Sequence, residues 1–318
     1  MGVRGIDLSV LEQWDFSILN VKPHGSVTKL ETDVGAKCLQ TRDEFSKDIF
    51  YYFLLLEHLA QQGFKRIPRF IRTRYGEPYI KTVGRCYWVT DWIYGRYINL
   101  KDQDDVVKSV QALARFHTAS GGFYFPGEKE EKDHWGSNIL GIADQIAKIK
   151  FQIKGPAFFK ENLQMIAERA LNSCKELVGP GYKWLRHQLK GELSVCHSAF
   201  NRNHIILGKS GEIYLTGLVH WKRDIRLRDL AEFLLMAGEM NQWDDKLCHK
   251  TVLTYHKISP LLSIEMELLQ DFLRFPFGYL GLLQDLAQKN AGVKETRIRL
   301  ESYLRLEEKK EKCLINLF

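Results

Sequence analysis

The stretch VCHSAFNRNHIILGKSGEIYLTGLVHWKRDIRLRDLAEFLL, residues 195–235, decides the expected fold. Strand signals return here only over residues 193–221, whereas residues 142–178 and 243–316 have amphipathic helical patterning. The stretch therefore predicts a strand, a loop, a second strand and then a helix that starts near Asp229. We expect the second half of the chain to be a helical lobe that bears a pair of strands.

Length and composition are those of a two-lobed globular protein. The chain has 318 residues, of which 45% are hydrophobic, enough for a packed core. A length prior of about 150 residues per domain suggests two lobes. The N-terminus, MGVRGIDLSVLEQWDF, has no apolar run typical of a signal peptide, and Ile6 stands where an N-myristoylation signal requires Ser or Thr. We expect neither export through a signal peptide nor attachment to a membrane.

Charge and cysteine usage argue against two further classes of protein. The net charge is +7, but Lys and Arg are interleaved with 39 acidic residues and form no basic cluster, so no nucleic-acid binding is expected. The six cysteines include no C-x-x-C pair, which argues against a zinc ribbon or a disulfide framework. Reduced and mostly buried thiols are the expectation.

The start of the chain is predicted to form a small meander followed by a helix. Residues 18–40 contain short β-branched runs that two turns interrupt, Pro23-His24-Gly25 and Asp33-Val34-Gly35. Residues 46–62 then repeat apolar side chains at helical spacing, and Gly63 is a natural stop.

Two further strand-like runs complete a predicted five-stranded antiparallel sheet. They are FIRTRY and YIKTVGRCYWVTDWI, separated by the turn Gly76-Glu77-Pro78. A helix is predicted over residues 102–119, because acids lie at its start and its apolar period is near 3.6. The expected fold class is α+β in two lobes, with a β-rich lobe over residues 1–94 and a helical lobe over residues 95–318.

Several short motifs occur in an order that resembles a known family. The chain is identified as similar to the CotS spore coat family, which is similar in fold to aminoglycoside phosphotransferases and choline kinases. The resemblance covers nearly the whole length. It rests on Gly35-Ala36-Lys37-Cys38-Leu39-Gln40, Leu56-Glu57-His58-Leu59 before Gly63-Phe64, Thr90-Asp91-Trp92-Ile93-Tyr94-Gly95-Arg96, Arg115-Phe116-His117 and Arg228-Asp229-Leu230.

The same resemblance implies that the residues for phosphoryl transfer are missing. A kinase-like site needs an Asp that accepts the proton of the acceptor hydroxyl, an Asn and an Asp that hold magnesium, and a Lys on the phosphates. These roles fall on Ala199, His204, Gly217 and Gln40, respectively. Lys37 points to the opposite face from Gln40 if the strand alternates.

Two residues of the family's loop are retained. The resemblance implies that His197 braces the loop and that Asp229, at the start of a helix, accepts hydrogen bonds from loop N–H groups. A register shift of one residue puts Asn203 in place of His204, but no single shift restores an acid near Ala199. Asp224 is the nearest acid downstream, too far along the chain to replace the base without rearrangement.

The implied function is a catalytically inactive, kinase-like structural or scaffolding protein of the spore coat. The resemblance implies other spore coat proteins as partners, synthesis in the mother-cell cytoplasm and no cofactor. Two alternatives remain open: a small-molecule phosphotransferase of the aminoglycoside or choline kinase type with an atypical site, and a nucleotide or sugar sensor that binds its ligand without turnover.

Three further groups of residues have a functional and a structural interpretation. His197, His204 and His220 are a candidate zinc or nickel site or three unrelated side chains. Two interpretations, an aromatic floor for a ligand and packing in the core, apply to Trp88, Trp92, Trp135, Tyr94 and Tyr97. Residues 295–312 are predicted to form a helix that packs on the second lobe, with partner binding as the alternative.

Overall fold

The computed structural model describes residues 8–43, 46–124, 134–150, 157–189, 193–278 and 293–318. Residues 1–7, on which the expectation about targeting rests, lie outside these ranges. The chain divides into two compact units. The sheet unit comprises Met1–Ile98, Gly122–Pro126 and Asn201–Trp221, and the helical unit comprises Asn99–Gly121, Gly127–Phe200 and Lys222–Phe318. The predicted α+β class is confirmed, whereas the lobe boundary at residue 94 stays a prediction.

The sheet unit contains an antiparallel sheet that has six strands in the described part of the chain. Its order is β1-β2-β3-β6-β4, and β5 also pairs with β6. The strands are β1 (Ile18–His24), β2 (Val27–Thr32), β3 (Gly35–Asp43), β4 (Phe70–Ile71), β5 (Ile80–Thr82) and β6 (Arg85–Asp91). The expectation of five strands was wrong, because the run from residue 79 to 93 breaks at Gly84, whose φ of +80° turns the chain between β5 and β6.

Both faces of this sheet are covered. On one face, Leu39 and Val89 pack with Leu11 of a short 3-10 helix, Leu8–Gln13, and with Trp14 directly after it. The Trp14 indole N–H donates to the Ile71 carbonyl at 2.8 Å, so this large side chain is buried without an unsatisfied donor. The other face is covered by α1 (Ser46–Gln61), the helix predicted over residues 46–62. There the rings of Tyr52, Phe70 and Trp88 pack against one another.

A second, three-stranded sheet in the sheet unit joins distant parts of the sequence. It has the order β10-β9-β7 and consists of β7 (Gly95–Tyr97), β9 (Ile205–Gly208) and β10 (Ile213–Leu215). Gly95 is required by close approach, since a Cβ there would lie 2.6 Å from Ile206 Cγ2 and closer still to the Leu207 carbonyl oxygen. The motif Thr90-Asp91-Trp92-Ile93-Tyr94-Gly95-Arg96 therefore runs into an edge strand of this sheet.

The helical unit is built from amphipathic helices, as predicted. The first four are α2 (Gln103–Ala119), α3 (His134–Lys150), α4 (Ala157–Leu177) and α5 (Pro180–Gln188). The others are α6 (Leu227–Met240), α7 (Asp245–Ile258), α8 (Ser263–Arg274) and α9 (Val293–Leu317). Residues 151–156 and 279–292 of the predicted helical regions lie outside the described residues.

Local signals explain where these helices begin and how they pack. The Asp102 side chain accepts the Asp104 N–H at 2.9 Å and so caps α2, while two acids in its first turn favour the helix dipole. The predicted C-terminal helix is confirmed as α9, and its Leu300 and Leu314 are fully buried. Within the described ranges, no helix combines the length and apolar character needed to cross a bilayer.

Candidate functional site

The loop that carries His197 begins at the end of a two-stranded antiparallel sheet in the helical unit. This sheet pairs β8 (Ser194–Cys196) with β11 (Lys222–Asp224). His197 is fully buried and its ring contacts Phe116 and Phe200, with centroids 6.2 and 5.7 Å away. Ser198 follows with a positive φ of 59°, a strained conformation for a residue with a side chain. The loop therefore needs outside support.

Asp229 supplies that support from the first turn of α6. Its Oδ2 accepts the His197 N–H at 2.5 Å, and its Oδ1 accepts the Ser198 N–H at 2.9 Å. The carboxylate is fully buried, so these charge-assisted bonds act without competition from water. Asp229 thus holds two successive backbone N–H groups at the start of the strained turn.

His117 and Tyr255 complete a buried hydrogen-bond chain around Asp229. His117 Nε2 lies 3.1 Å from Asp229 Oδ2, and its Nδ1 lies 2.6 Å from the Tyr255 hydroxyl. Burial by itself raises the pKa of Asp229, but the hydrogen bond and charge of His117, together with His197, outweigh burial and hold the pKa below its ordinary value. Burial raises the pKa of Tyr255. The chain Tyr255–His117–Asp229 therefore fixes a carboxylate beneath the loop.

One group of potential metal ligands occurs among the described residues, and it overlaps this chain. His117, Cys196 and Asp229 offer ligand atoms within 4.8 Å of one another, and the group includes none of the three histidines considered from the sequence. Both ring nitrogens of His117 already face hydrogen-bond partners. Burial, with the charge of Asp229, holds the pKa of the Cys196 thiol well above its ordinary value. His117 and Asp229 of this group are therefore already engaged in the hydrogen-bond chain.

The position expected for the catalytic base carries no acid. Ala199 is half-buried and offers only a methyl group. Asp224 lies at the end of β11 with an exposed fraction of 1%; its Oδ1 accepts the Ile225 N–H at 2.8 Å, and its Oδ2 lies 3.5 Å from Arg228 Nη1. Burial raises its pKa. The nearest acid downstream is therefore held in its own network with Arg228.

In the sheet unit, His204 and Gly217 fit directly against each other. Gly217 has a left-handed φ of +74°, and a Cβ built there would lie 2.7 Å from both Cγ and Cε1 of His204, with Nδ1 nearer still. The His204 carbonyl also accepts the Thr216 N–H at 2.9 Å. The imidazole thus occupies the space that any side chain at position 217 requires.

His220 lies next to His204 at the end of a short 3-10 turn, Leu218–His220. The ring centroids of the two histidines are 6.2 Å apart. Burial and the nearby His220 both lower the pKa of His204. His204 is therefore neutral in the folded protein at neutral pH, while Asn203, the residue that a register shift puts in its place, is exposed.

Gln40, the position predicted from the family resemblance for a phosphate-binding lysine, lies on the α1 face of β3. Gln40 is paired with Trp88 across the strands, and Leu39 next to it faces the opposite core. Lys37 shares the face of Leu39, and its Nζ lies 2.7 Å from Asp91 Oδ1. The predicted alternation is confirmed, and Lys37 pairs with Asp91 on the face away from Gln40.

Magnesium does not fit the residues at the two expected ligand positions. Mg²⁺ requires near-octahedral oxygen coordination, usually with one or two carboxylates. Position 204 offers an imidazole. Position 217 is a glycine with no ligand atom, and the His204 imidazole fills the space that a side chain there requires. Adding a carboxylate at Gly217 requires His204 to leave.

Of the two interpretations of the aromatic residues, core packing applies to Trp88 and Trp135. Trp88 is buried in the sheet unit, and Trp135 is buried in the helical unit against Tyr182 and Phe272. Core packing explains both. Trp92 and Tyr94 instead lie near the surface of the sheet unit, where cations cover them. Lys29 Nζ is 5.3 Å from the Trp92 ring centroid and 5.7 Å from that of Tyr94, and Lys209 Nζ is 5.6 Å from Tyr94.

The structural class of this protein is the two-lobed kinase-like fold that aminoglycoside phosphotransferases have. An aminoglycoside phosphotransferase from Alicyclobacillus acidocaldarius is similar with a TM-score of 0.86 and 18% identity, over 100% of this chain and 96% of that chain. A choline/ethanolamine kinase family protein from Mesorhizobium loti is similar with a TM-score of 0.53 and 13% identity, over 98% and 95% of the two chains. At these identities the likeness establishes the fold.

Sequence comparisons point to spore coat proteins within that class. Residues 184–317 match the family model described as spore coat putative kinase YutH. The chain is also 23% identical to spore coat protein S of Bacillus subtilis (strain 168), over 97% of this chain and 92% of that protein. The predicted resemblance to spore coat proteins with a kinase-like fold is confirmed.

Proposed function

We propose that this protein is a kinase-like protein without phosphotransferase activity that serves as a structural or scaffolding component of the spore coat. It is made in the mother-cell cytoplasm and assembles with other coat proteins. The similarity to spore coat protein S and to the YutH family model supports the location. Fold alone supports no reaction, because the same architecture is compatible with many functions.

The observation that carries the proposal is the packing of His204 over Gly217. A working site of this fold stabilises the transferred phosphoryl group mainly by electrostatics, through metal ions and a lysine. Here the His204 imidazole stands at the position expected for the Asn ligand. It also fills the space that an Asp side chain at position 217 requires. A single substitution therefore does not restore the metal site, and the absence of an acid at Ala199 removes the proton acceptor as well.

The supporting structure of the loop, by contrast, is intact. Asp229 holds the His197 and Ser198 N–H groups, and His117 with Tyr255 holds Asp229. A fold that keeps its internal support and lacks reactive groups is suited to presenting surfaces to partners. This combination favours scaffolding over catalysis.

Thermal unfolding with nucleotide tests the proposal directly. The purified chain is heated with ATP, with and without Mg²⁺, and γ-phosphate release is followed with amino sugars and with choline as acceptors. We expect no magnesium-dependent stabilisation and no transfer above the protein-free control. A magnesium-dependent rise in unfolding temperature together with phosphorylated acceptor would overturn the proposal.

Location gives a second, independent test. A fluorescent fusion of the chain expressed in a sporulating bacterium is expected to gather at the forespore surface and to remain with the coat fraction of mature spores. Uniform fluorescence in the mother cell throughout sporulation would count against a coat role.

One observation favours a second candidate function, a sensor that binds its ligand without turnover. The cation–π group of Trp92, Tyr94, Lys29 and Lys209 places two aromatic rings beside two ammonium groups near the surface, which suits an anionic aromatic ligand such as a nucleotide. This candidate predicts metal-independent stabilisation by ATP that Trp92→Ala abolishes. The matched control Tyr75→Ala removes an aromatic side chain that is 73% exposed elsewhere in the same unit, and it retains the effect.

A further inference from the structure

A groove between α3 and α4 of the helical unit is lined mainly by apolar side chains and is open on one side. Its volume is about 570 Å³, and its lining includes Leu140, Ala143 and Ala147 of α3 and Leu171 of α4. Leu140 is 54% exposed and Leu171 is 37% exposed. Large exposed leucines beside small alanines give this surface raised and recessed parts, which suits an interface with another protein.

Two contacts show how the residues of the two helices lie beside one another along the groove. The Trp135 indole N–H donates to the Leu177 carbonyl at 2.9 Å, and the Cys174 sulfur faces the Ile139 carbonyl at 3.9 Å. Later positions in α3 therefore meet earlier positions in α4. The two helices run antiparallel, with a fixed pairing of levels along their length.

The two ends of the groove differ in charge and in side-chain size. By this pairing, Leu140 lies beside Lys175 at one end, and Ala147 lies beside Glu168 at the other end. Glu168 and Lys175 are both exposed, and their spacing of two helical turns places them on one face of α4. The positive end thus has a large apolar side chain, and the negative end has a small one.

We propose that this groove is the interface between two copies of the chain, related by a two-fold axis that crosses the helices at their middle. Each of α3 and α4 then packs antiparallel to the same helix of the other copy, and the four helices form a bundle. Glu168 of each copy lies opposite Lys175 of the other, and Leu140 lies opposite Ala147. The groove is therefore complementary to itself, as an isologous interface has to be.

The charges distinguish this arrangement from the other two-fold packing of the same face. An axis parallel to the helices places α3 over α4, so that Lys175 meets Leu140 and Glu168 meets Ala147. No opposite charges face each other in that packing. Whether the chain has phosphotransferase activity has no bearing on this contact.

The middle of the groove is compatible with the proposed axis. Leu171 lies near the midpoint between Glu168 and Lys175, so the two copies of this leucine contact each other. The two copies of Asp144 also come close together. Lys148 Nζ lies 3.5 Å from Asp144 Oδ2 in the same helix, and this pairing reduces the repulsion between the two carboxylates.

Sedimentation equilibrium of the full chain from about 1 to about 100 µM tests the interface. We expect a mass at the higher concentrations that is twice the mass of one chain. A monomer at every concentration would overturn the proposal and leave the groove to a different protein. An assembly larger than two copies would overturn it as well, because an isologous contact closes at two.

A matched pair of leucine substitutions locates the contact. Leu171→Asp is expected to give a monomer, because two carboxylates then face each other at the axis. The control Leu253→Asp alters a leucine of α7 that is 39% exposed, and it should leave the dimer intact. Circular dichroism checks that both variants are folded. A Leu171→Asp dimer as tight as that of the original chain would refute this location.

Exchange of the charges tests the orientation and does not rely on loss of binding alone. Glu168→Lys and Lys175→Glu each place like charges opposite each other twice, so each should weaken the dimer by about ten- to a hundredfold. An equimolar mixture of these two variants should form a heterodimer about as tight as the original dimer, because each lysine then faces a glutamate. The double variant Glu168→Lys/Lys175→Glu should recover the affinity for the same reason. Recovery in neither case would show that the two copies do not pack in this antiparallel orientation.

Discussion

Replacement of Gly217 by alanine tests the packing of His204 directly. Two costs are expected. A side chain at a φ of +74° costs about 1–2 kcal/mol relative to glycine. The new Cβ would also lie 2.7 Å from His204 Cγ, the ring atom bonded to Cβ, so the whole ring has to rotate away. Displacing a packed ring costs a further amount of about 1–3 kcal/mol.

A matched glycine separates these two costs. Gly211 has a φ of +84°, and a Cβ there would meet nothing within 4 Å. Gly211→Ala therefore measures the backbone cost alone, and Gly217→Ala is expected to lower the free energy of unfolding by about 1–3 kcal/mol more. The double variant His204→Ala/Gly217→Ala is expected to recover that excess, because the ring is gone while the backbone cost remains.

Urea unfolding followed by circular dichroism and tryptophan fluorescence measures these free energies. Equal losses for Gly217→Ala and Gly211→Ala, or no recovery in the double variant, would refute the claim that the imidazole fills the space at position 217. A metal-binding side chain at position 217 would then meet no steric obstacle from His204.

Three further predictions concern the buried carboxylate and the histidine pair. Asp229→Asn leaves two N–H donors and His117 around a neutral amide, so it should lower the free energy of unfolding by about 2–4 kcal/mol. The control Asp144→Asn, at a side chain that is 75% exposed, should change that free energy little. Equal effects of the two substitutions would contradict the supporting role of Asp229. Because the pKa of Asp229 lies below 3.8 in the folded state, its stabilisation is present above that pH and is lost as the pH falls through the lower folded value. The free energies of unfolding of the original chain and of Asp229→Asn, measured against pH, should therefore converge below pH 3.8. A difference that stays constant with pH would contradict this. NMR titration of the His204 ring should give a midpoint below 6.5 that His220→Gln raises only in part, since burial persists; a midpoint at or above 6.5 would refute the burial argument.

Much of the fold was predictable because its signals are local. Turn residues such as Gly25 and Gly35 bound the strands of the meander, and α1 shows its apolar face within a single stretch of sequence. The order of short motifs placed the loop at His197 and the supporting carboxylate at Asp229. Periodicity alone did not expose the break at Gly84, since a glycine inside a strand-like run also fits a bulge.

The remaining features depend on contacts between distant residues. Tyr255 lies 138 positions from His117, its hydrogen-bond partner, and no local pattern links them. Likewise, the sequence identifies His204 and Gly217 as poor metal ligands, but not that one fills the space of the other. Composition also predicted buried thiols correctly for five of the six cysteines.

The way the sheet unit recruits its strands has a consequence for synthesis on the ribosome. Strand β7 ends at Tyr97, but its partner β9 begins only at Ile205, and the Ile98 N–H donates to the Ile205 carbonyl at 3.2 Å. A nascent chain that has emerged only as far as α5 must keep this edge unpaired while the helices between the two strands are translated. Completion of this sheet therefore waits until β9 has been translated, and a chaperone that shields an open β edge would act on this interval.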